Sequence, residues 1–313
     1  MSSLSDKRRR IAMAQEGSLW HRIIQYKHAY AMILVTFAML ATFNYYPAIS
    51  GLYRAFFRYD IGLKPVWVGL DHFIRLFTAD DIFQKSIGNV AFLATWNVIK
   101  ALTFPFFVAE LIFGLSNAKH KYFYRLAIIV PIVVPGMVNL LLWQFIYDGT
   151  YGLLNNLLVA LGRPDWQRAW LGDPRVALYA VTFMGFPWVG GINVLIYLAG
   201  LQSITNEIID SAKIDGCTGA RRIWYIDMPL IKGQFKFMLI TSIMGGLQGW
   251  GAMFVMTRGG PGTATMVPGL WLYNNAFFWG RMGYASAIGM VIFAVIMVLT
   301  VINMRAIRSS AEV

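Results

Sequence analysis

Charge is scarce in this chain. Asp, Glu, Lys and Arg make up 13% of its 313 residues, against about 25% in a soluble globular domain. A deficit of that size excludes an ordinary water-soluble core with a charged shell. Cysteine is nearly absent. Cys217 is the only one, so no intrachain disulfide can form and the fold cannot rest on one. The four histidines, His21, His28, His72 and His120, fall in four separate places. With no HExxH and no Ser–His–Asp-like grouping, neither a bound metal nor a catalytic residue is expected. The glycine-rich run Gly259-Gly-Pro-Gly262 lacks the Lys-Ser/Thr that a phosphate-binding loop places before a helix. It reads as a turn, and the chain is expected to bind no ATP or other cofactor itself.

Apolar residues fill the gap, at 58% of the chain. Six stretches are long enough to cross a hydrocarbon core of ~30 Å, which takes about 20 helical residues. They cover roughly 29–51, 87–114, 126–147, 176–200, 237–257 and 284–304. Strict alternation is missing, which argues against a β-barrel. The expected fold is therefore all-α and integral to a membrane, with about six transmembrane helices. The first run begins only near Tyr30 and no small-x-small site follows it, so it reads as a retained span.

Net charge is +12. With the N-terminus inside, the inner segments carry 16 of the 27 Lys and Arg and the outer ones 10, with the cluster Lys7–Arg10 inside. The excess predicts both termini in the cytoplasm of a cell-membrane protein, with basic loops facing anionic lipid rather than nucleic acid. The expected division is a cytoplasmic segment 1–28, a transmembrane domain 29–304 and a cytoplasmic tail 305–313.

The most informative stretch joins the fourth and fifth spans, at about 205–230. From Asn206 to Gly216 and on to Pro229 it reads as two short helices broken at Asp215-Gly216, where glycine reaches a left-handed conformation at little cost. Pro229 closes the second helix or opens the next element. Ile208, Ile209, Ala212, Ile223 and Ile226 can form an apolar underside, with Asp210, Lys213, Arg221 and Arg222 facing out.

This segment resembles the coupling loop of ABC-importer permeases, whose pattern is Glu-Ala-Ala, three residues, Gly, nine residues, Ile-x-Leu-Pro. Asp210-Ser211-Ala212, Gly216 and Ile226-Asp227-Met228-Pro229 hold those places at matching spacing. Asp210 replaces Glu, Ser211 replaces Ala and Met228 replaces Leu. Further pieces in the family's order are Trp67-Val-Gly-Leu-Asp-His-Phe73, Tyr151-Gly-Leu-Leu-Asn155, Trp170-Leu-Gly-Asp-Pro174, Ala199-Gly-Leu-Gln-Ser-Ile204 and Thr257-Arg-Gly-Gly-Pro-Gly262. The chain is thus similar to permease subunits of carbohydrate-type, type I ABC importers. The resemblance implies a second permease, an ATPase dimer that binds ATP and Mg, an extracytoplasmic solute-binding protein and a sugar substrate. It also implies ATPase coupling by Asp210, Ser211, Ala212, Asp215, Gly216, Ile226 and Pro229.

Solute paths lie near mid-membrane where helices are interrupted. Gly185-Phe-Pro-Trp-Val-Gly-Gly-Ile-Asn193 and Gly245-Gly-Leu-Gln-Gly-Trp250 are such places. A sugar needs aromatic faces with amide or hydroxyl partners, which makes Trp188, Asn193, Ser242, Gln248 and Trp250 the candidates. Lys100 and Glu110 are ionisable groups inside a span, which marks function or pairing. A phosphorylated solute such as glycerol 3-phosphate would want a cationic site. Lys100 is the one clear intramembrane candidate, and a neutral sugar is favoured. Two rival readings are a membrane-embedded enzyme, which would need converging catalytic groups that the sequence does not show, and a secondary transporter, which leaves 207–229 without a role.

Overall fold

The computed structural model describes residues 26–306. The basic cluster Lys7–Arg10 lies outside the described residues, as do most of the expected terminal segments 1–28 and 305–313. Two units are present, Met1–Tyr53 and Arg54–Val313. In the first, helix α1 (Lys27–Arg54) is the first candidate span. It widens into a π-helical turn at Ala41–Tyr45. The ring of Pro47 would collide with the carbonyl four residues back, at Phe43, and the wider turn sits at that place.

The second unit opens with a small antiparallel ribbon, which the all-helical expectation did not contain. Strand β1 (Phe57–Arg58) pairs with β2 (Val66–Trp67), with Phe57 opposite Trp67. Helix α2 (Asp71–Thr78) leads to the long helix α3 (Asp81–Gly114). At 34 residues α3 is about 51 Å long, so it extends well past a ~30 Å hydrocarbon layer. Asp80 caps it, accepting the Phe83 N–H at 2.8 Å. The same carboxylate accepts Trp271 Nε1 at 2.9 Å and the Tyr284 hydroxyl at 2.5 Å. One buried acid thus ties the start of α3 to two later helices.

The third expected span, 126–147, is not straight. Helix α4 (Ala118–Ile129) passes through a tight turn at Val130–Val133 and meets α5 (Gly136–Ile146) at 87°. Pro135 explains the break. It has no N–H to continue α4, and it holds Val134 in an extended conformation (φ −68°, ψ 122°). After α6 (Leu153–Ala160) the loop is fixed by one buried amide. Asn155 donates to the Gly149 and Arg168 carbonyls and accepts from Arg168 N–H and Trp170 Nε1, at 2.8 to 3.2 Å.

The fourth expected span, 176–200, is also interrupted. Helix α7 (Ala177–Phe183) stops, residues 184–190 run irregularly, and α8 (Gly191–Gln202) resumes. Helix α9 (Asn206–Ile214) follows. Then come α10 (Lys232–Gln248), α11 (Gly251–Met256), α12 (Pro268–Tyr273) and α13 (Met282–Ala306). Among the described residues, four helices are long and apolar enough to cross a membrane, or up to six when bent pairs count as single spans. The upper figure agrees with the expected number of about six.

Both α8 and α10 pack on α3. The shared core holds Phe106, Ala109, Val194, Tyr197, Leu201 and Met238. Pro105 lies inside α3 and cannot donate to the Ala101 carbonyl. The Tyr197 hydroxyl of α8 approaches that carbonyl instead, at 3.5 Å. Where α10 crosses α3, a Cβ on Gly246 would stand 2.7 Å from Ala94 Cα. Backbone contact of that kind admits only glycine. Gly246→Leu should therefore lower the unfolding midpoint in detergent by an amount equal to about 1–3 kcal/mol of overpacking. Gly88→Ala, where the added carbon meets nothing within 4 Å, should leave it unchanged or raise it. A Gly246→Leu protein as stable as wild type would refute this packing.

Candidate functional site

Two regions of the second unit hold the residues singled out from the sequence. The first is the segment from α9 to α10. Asp215 is the last half-helical residue of α9 and Gly216 turns left-handed at φ +68°. Cys217 N–H then bonds the Ala212 carbonyl at 2.8 Å and Gly216 N–H bonds Lys213 at 3.1 Å. This pair of bonds is a Schellman closure, which satisfies two carbonyls that the helix end would leave free. Gly219 makes a second turn at φ +56°, and the chain re-enters helix at Ala220–Arg222. A π turn, Ile223–Asp227, precedes Met228–Leu230. Pro229 falls inside this helical run rather than closing it, and the wide turn again sits four residues before the proline ring.

The outer face of the segment is mixed, with Ile214, Trp224 and Tyr225 exposed beside its polar groups. Asp210, Ser211, Asp215 and Gly216 are exposed, and Asp210 pairs with Lys213 at 2.8 Å. Glu207, in the first turn of α9, is held below the usual carboxylate range by the Thr205 hydroxyl. Ala212 is 5% exposed. Ile226 and Pro229 are half-buried. Ile209, Ile223 and Met228 pack on the core formed by α3, α8 and α10. Ile208 is exposed instead of joining that underside.

Arg222 departs from expectation, because it turns inward. Its Nε donates to Asp227 Oδ2 at 2.9 Å, its Nη2 lies 3.8 Å from Glu110 Oε2, and the guanidinium sits over Phe113 at 5.5 Å. Asp227 is 0% exposed and Glu110 6%. Arg222 and Asp227 are five apart, a separation that an α-helix does not place on one face but that a π turn does. Sequence reasoning therefore missed this anchor. The one legible signal was Glu110 itself, an acid inside a span.

The second region is a cavity of about 310 Å³ beside the middle of α3. It is lined by Asn97, Lys100 and Ala101 of α3, by Met184, Gly185, Trp188 and Val189 of the irregular linker, and by Gly190 and Asn193 at the start of α8. The Lys100 ammonium donates to the Thr182 carbonyl near the end of α7 and lies 5.3 Å from the Trp188 ring centre. A lysine at mid-span is disfavoured by about 2.5–3.5 kcal/mol on insertion scales. The carbonyl and the ring offset part of that. Trp188 has a left-handed backbone (φ 58°), donates Nε1 to the Met184 carbonyl at 3.0 Å, and meets Phe104, Phe183 and Phe186 edge-on.

Of the five path candidates, Trp188 and Asn193 line this cavity. Ser242 is buried and reaches it only indirectly. Its carbonyl accepts Asn97 Nδ2 at 2.7 Å, and its hydroxyl bonds Leu239 of its own helix. Gln248 and Trp250 lie apart from it. Gln248 is exposed, and Trp250 stacks on Tyr273 at 4.9 Å. Asn97 and Lys100 on α3 supply what these would have supplied.

Comparison with known proteins gives the family. Residues 101–311 match the family described as the binding-protein-dependent transport system inner membrane component. The chain belongs to that family. The permease is 32% identical to the diacetylchitobiose uptake system permease protein NgcF of Streptomyces coelicolor, over 74% of this chain and 68% of the relative. It is 27% identical to the multiple sugar-binding transport system permease protein MsmF of Streptococcus mutans, over 88% and 93%. Its fold matches that in a crystal structure of a bacterial ABC transporter involved in the import of the acidic polysaccharide alginate. There the TM-score is 0.82 at 23% identity, over 92% of this chain and 97% of the other. A permease of this kind is a transport component and not an enzyme.

Arg222 is the cation that faces two buried carboxylates of the permease. Arg222→Met should destabilise it by about 3–5 kcal/mol, because it strands Glu110 and Asp227. Adding Glu110→Gln and Asp227→Asn should restore most of the loss. Unfolding midpoints of the single and triple variants decide the matter, and equal losses in both would show that charge balance is not the cause.

Proposed function

We propose that this permease forms one half of the translocation path of an ATP-driven importer for a sugar or oligosaccharide. A separate ATPase dimer drives it, and a second permease supplies the other half. An extracytoplasmic binding protein delivers the solute. ATP and Mg belong to the ATPase, and this chain carries no cofactor. Residues 29–304 act as the membrane domain, with 1–28 and 305–313 on the cytoplasmic side, where the α9 segment also faces.

The observation that carries this reading is the build of the α9 segment. Its outer face offers Asp210, Ser211, Asp215 and Gly216 on a helix closed by a rigid turn. Beneath them Ile209, Ile223 and Met228 seat the segment on the core, Ala212 is buried, Ile226 and Pro229 are half-buried, and Arg222 bolts the segment to α3. An element that must pass on a push needs charge for register outside and no play inside. From Glu110 to Lys100 is ten residues along α3, about 15 Å, so a displaced α9 segment would move the cavity wall. The saccharide class is supported by the relatives named for diacetylchitobiose and multiple sugars. It is supported too by an aromatic face flanked by Asn97 and Asn193 amides.

The test is uptake of labelled saccharides into liposomes holding the assembled transporter, with and without ATP. Asp210→Ala should insert normally yet lose ATP-driven uptake by about tenfold or more, as expected when one charge-assisted contact is removed. Uptake that runs without ATP, or a fully active variant, would overturn the coupling role and bring a secondary transporter forward.

A further inference from the structure

The Lys100 cavity is electrically lopsided. Lys100 lies within three residues of the midpoint of α3, about 4 Å along its axis. No carboxylate lines the cavity. The other acid on the inner half of α3, Glu110, is about 15 Å away along the helix and faces Arg222. The partners that Lys100 has, the Thr182 carbonyl and the Trp188 ring, are both neutral. An ammonium carries three donors, and one is used on Thr182.

The opposite wall adds to the imbalance. Helix α8 begins there, with Gly190 as an extended N-cap and no side-chain cap. Its first-turn N–H groups have no intrahelical acceptor, and the helix dipole makes that end positive. Asn193 in that turn lines the cavity, and its side-chain amide makes no hydrogen bond among the described residues. A volume of about 310 Å³ is at the lower end of small-molecule pockets, roughly 300–1,000 Å³. That suits a single sugar unit.

We propose that this cavity takes a saccharide bearing an anionic group, a carboxylate, sulfonate or phosphate, and that Lys100 selects for that charge. The anion lies between the Lys100 ammonium and the first turn of α8. The sugar ring packs its C–H face on Trp188, and the amides of Asn97 and Asn193 meet its hydroxyls. The neutral solute favoured from sequence gives way because the cation has no counter-charge of its own. The inference rests on the saccharide-permease reading above.

Equilibrium dialysis of the assembled permease–ATPase complex, without binding protein, tests it. The probes are a labelled diuronate, a labelled hexose 6-phosphate and a labelled neutral disaccharide. Wild type should hold at least one anionic probe about tenfold tighter than the neutral one, as for one charge-assisted hydrogen bond. The stronger of the two anionic probes identifies the group. Lys100→Met should bring anionic and neutral probes to near-equal affinity, and Lys100→Arg should keep the preference. Asn193→Asp leaves the Lys100–Thr182 contact in place, so it should weaken the anionic probe alone even if Lys100→Met does not fold. Tighter or equal binding of the neutral disaccharide by wild type overturns the anion preference and leaves the saccharide reading standing. A preference untouched by both Lys100→Met and Asn193→Asp overturns its assignment to Lys100 and this cavity, and also leaves the saccharide reading standing. Binding of none of the three overturns the saccharide reading itself.

Discussion

Hydrocarbon offers no water to an unpaired backbone group, and every break in a spanning helix must therefore be answered from within the protein. The interruptions of this permease obey that rule one by one. Pro105 frees the Ala101 carbonyl, and the Tyr197 hydroxyl stands over it. Where α7 ends, the Tyr147 hydroxyl takes the Ala180 carbonyl at 2.8 Å and Lys100 takes Thr182. The irregular linker beyond is held by the Trp188 indole on Met184. Breaks are thus confined to places where α3 or its neighbours can reach, which is why the cavity forms there and not elsewhere along the fourth span.

The same long helix links that cavity to the α9 segment at the other end. Burying Glu110, Arg222 and Asp227 together gains little over an apolar contact of the same size, since desolvation offsets most of the attraction. What the arrangement does supply is register. Asp227 fixes the guanidinium within its own π turn, and Glu110 fixes that turn against α3 at one height. An apolar patch built from Ile223 and Met228 alone would tolerate sliding.

Much of this was legible before any coordinates. Pro187 and the glycines around it marked the break in the fourth span, and Asp215-Gly216 marked the turn after α9, whereas the break at Pro135 was not foreseen. The order of short motifs around that segment pointed to the family. Three things were not legible, each for a physical reason. The 87° angle between α4 and α5 is set by packing, which a proline permits but does not dictate. The inward turn of Arg222 depends on a π turn, and its five-residue spacing reads as opposite faces in an ordinary helix. The role of Asn155 depends on three loop backbone groups and the Trp170 indole converging on it, from residues up to fifteen positions away.

The separation of the five path candidates has a consequence for assembly. Trp188 and Asn193 share a wall with Asn97 and Lys100, whereas Trp250 belongs to a different cluster with Phe254 and Tyr273. All the cavity's lining comes from α3, the linker and the start of α8. A polar solute held against one such wall would present its other hydroxyls to lipid, each at a penalty of several kcal/mol on the order of an unmade hydrogen bond. A charged solute would fare worse. Passage beside Lys100 therefore requires a second polar wall facing this one. A second permease meets that need in the proposed importer, and the path is then a property of the pair rather than of this chain.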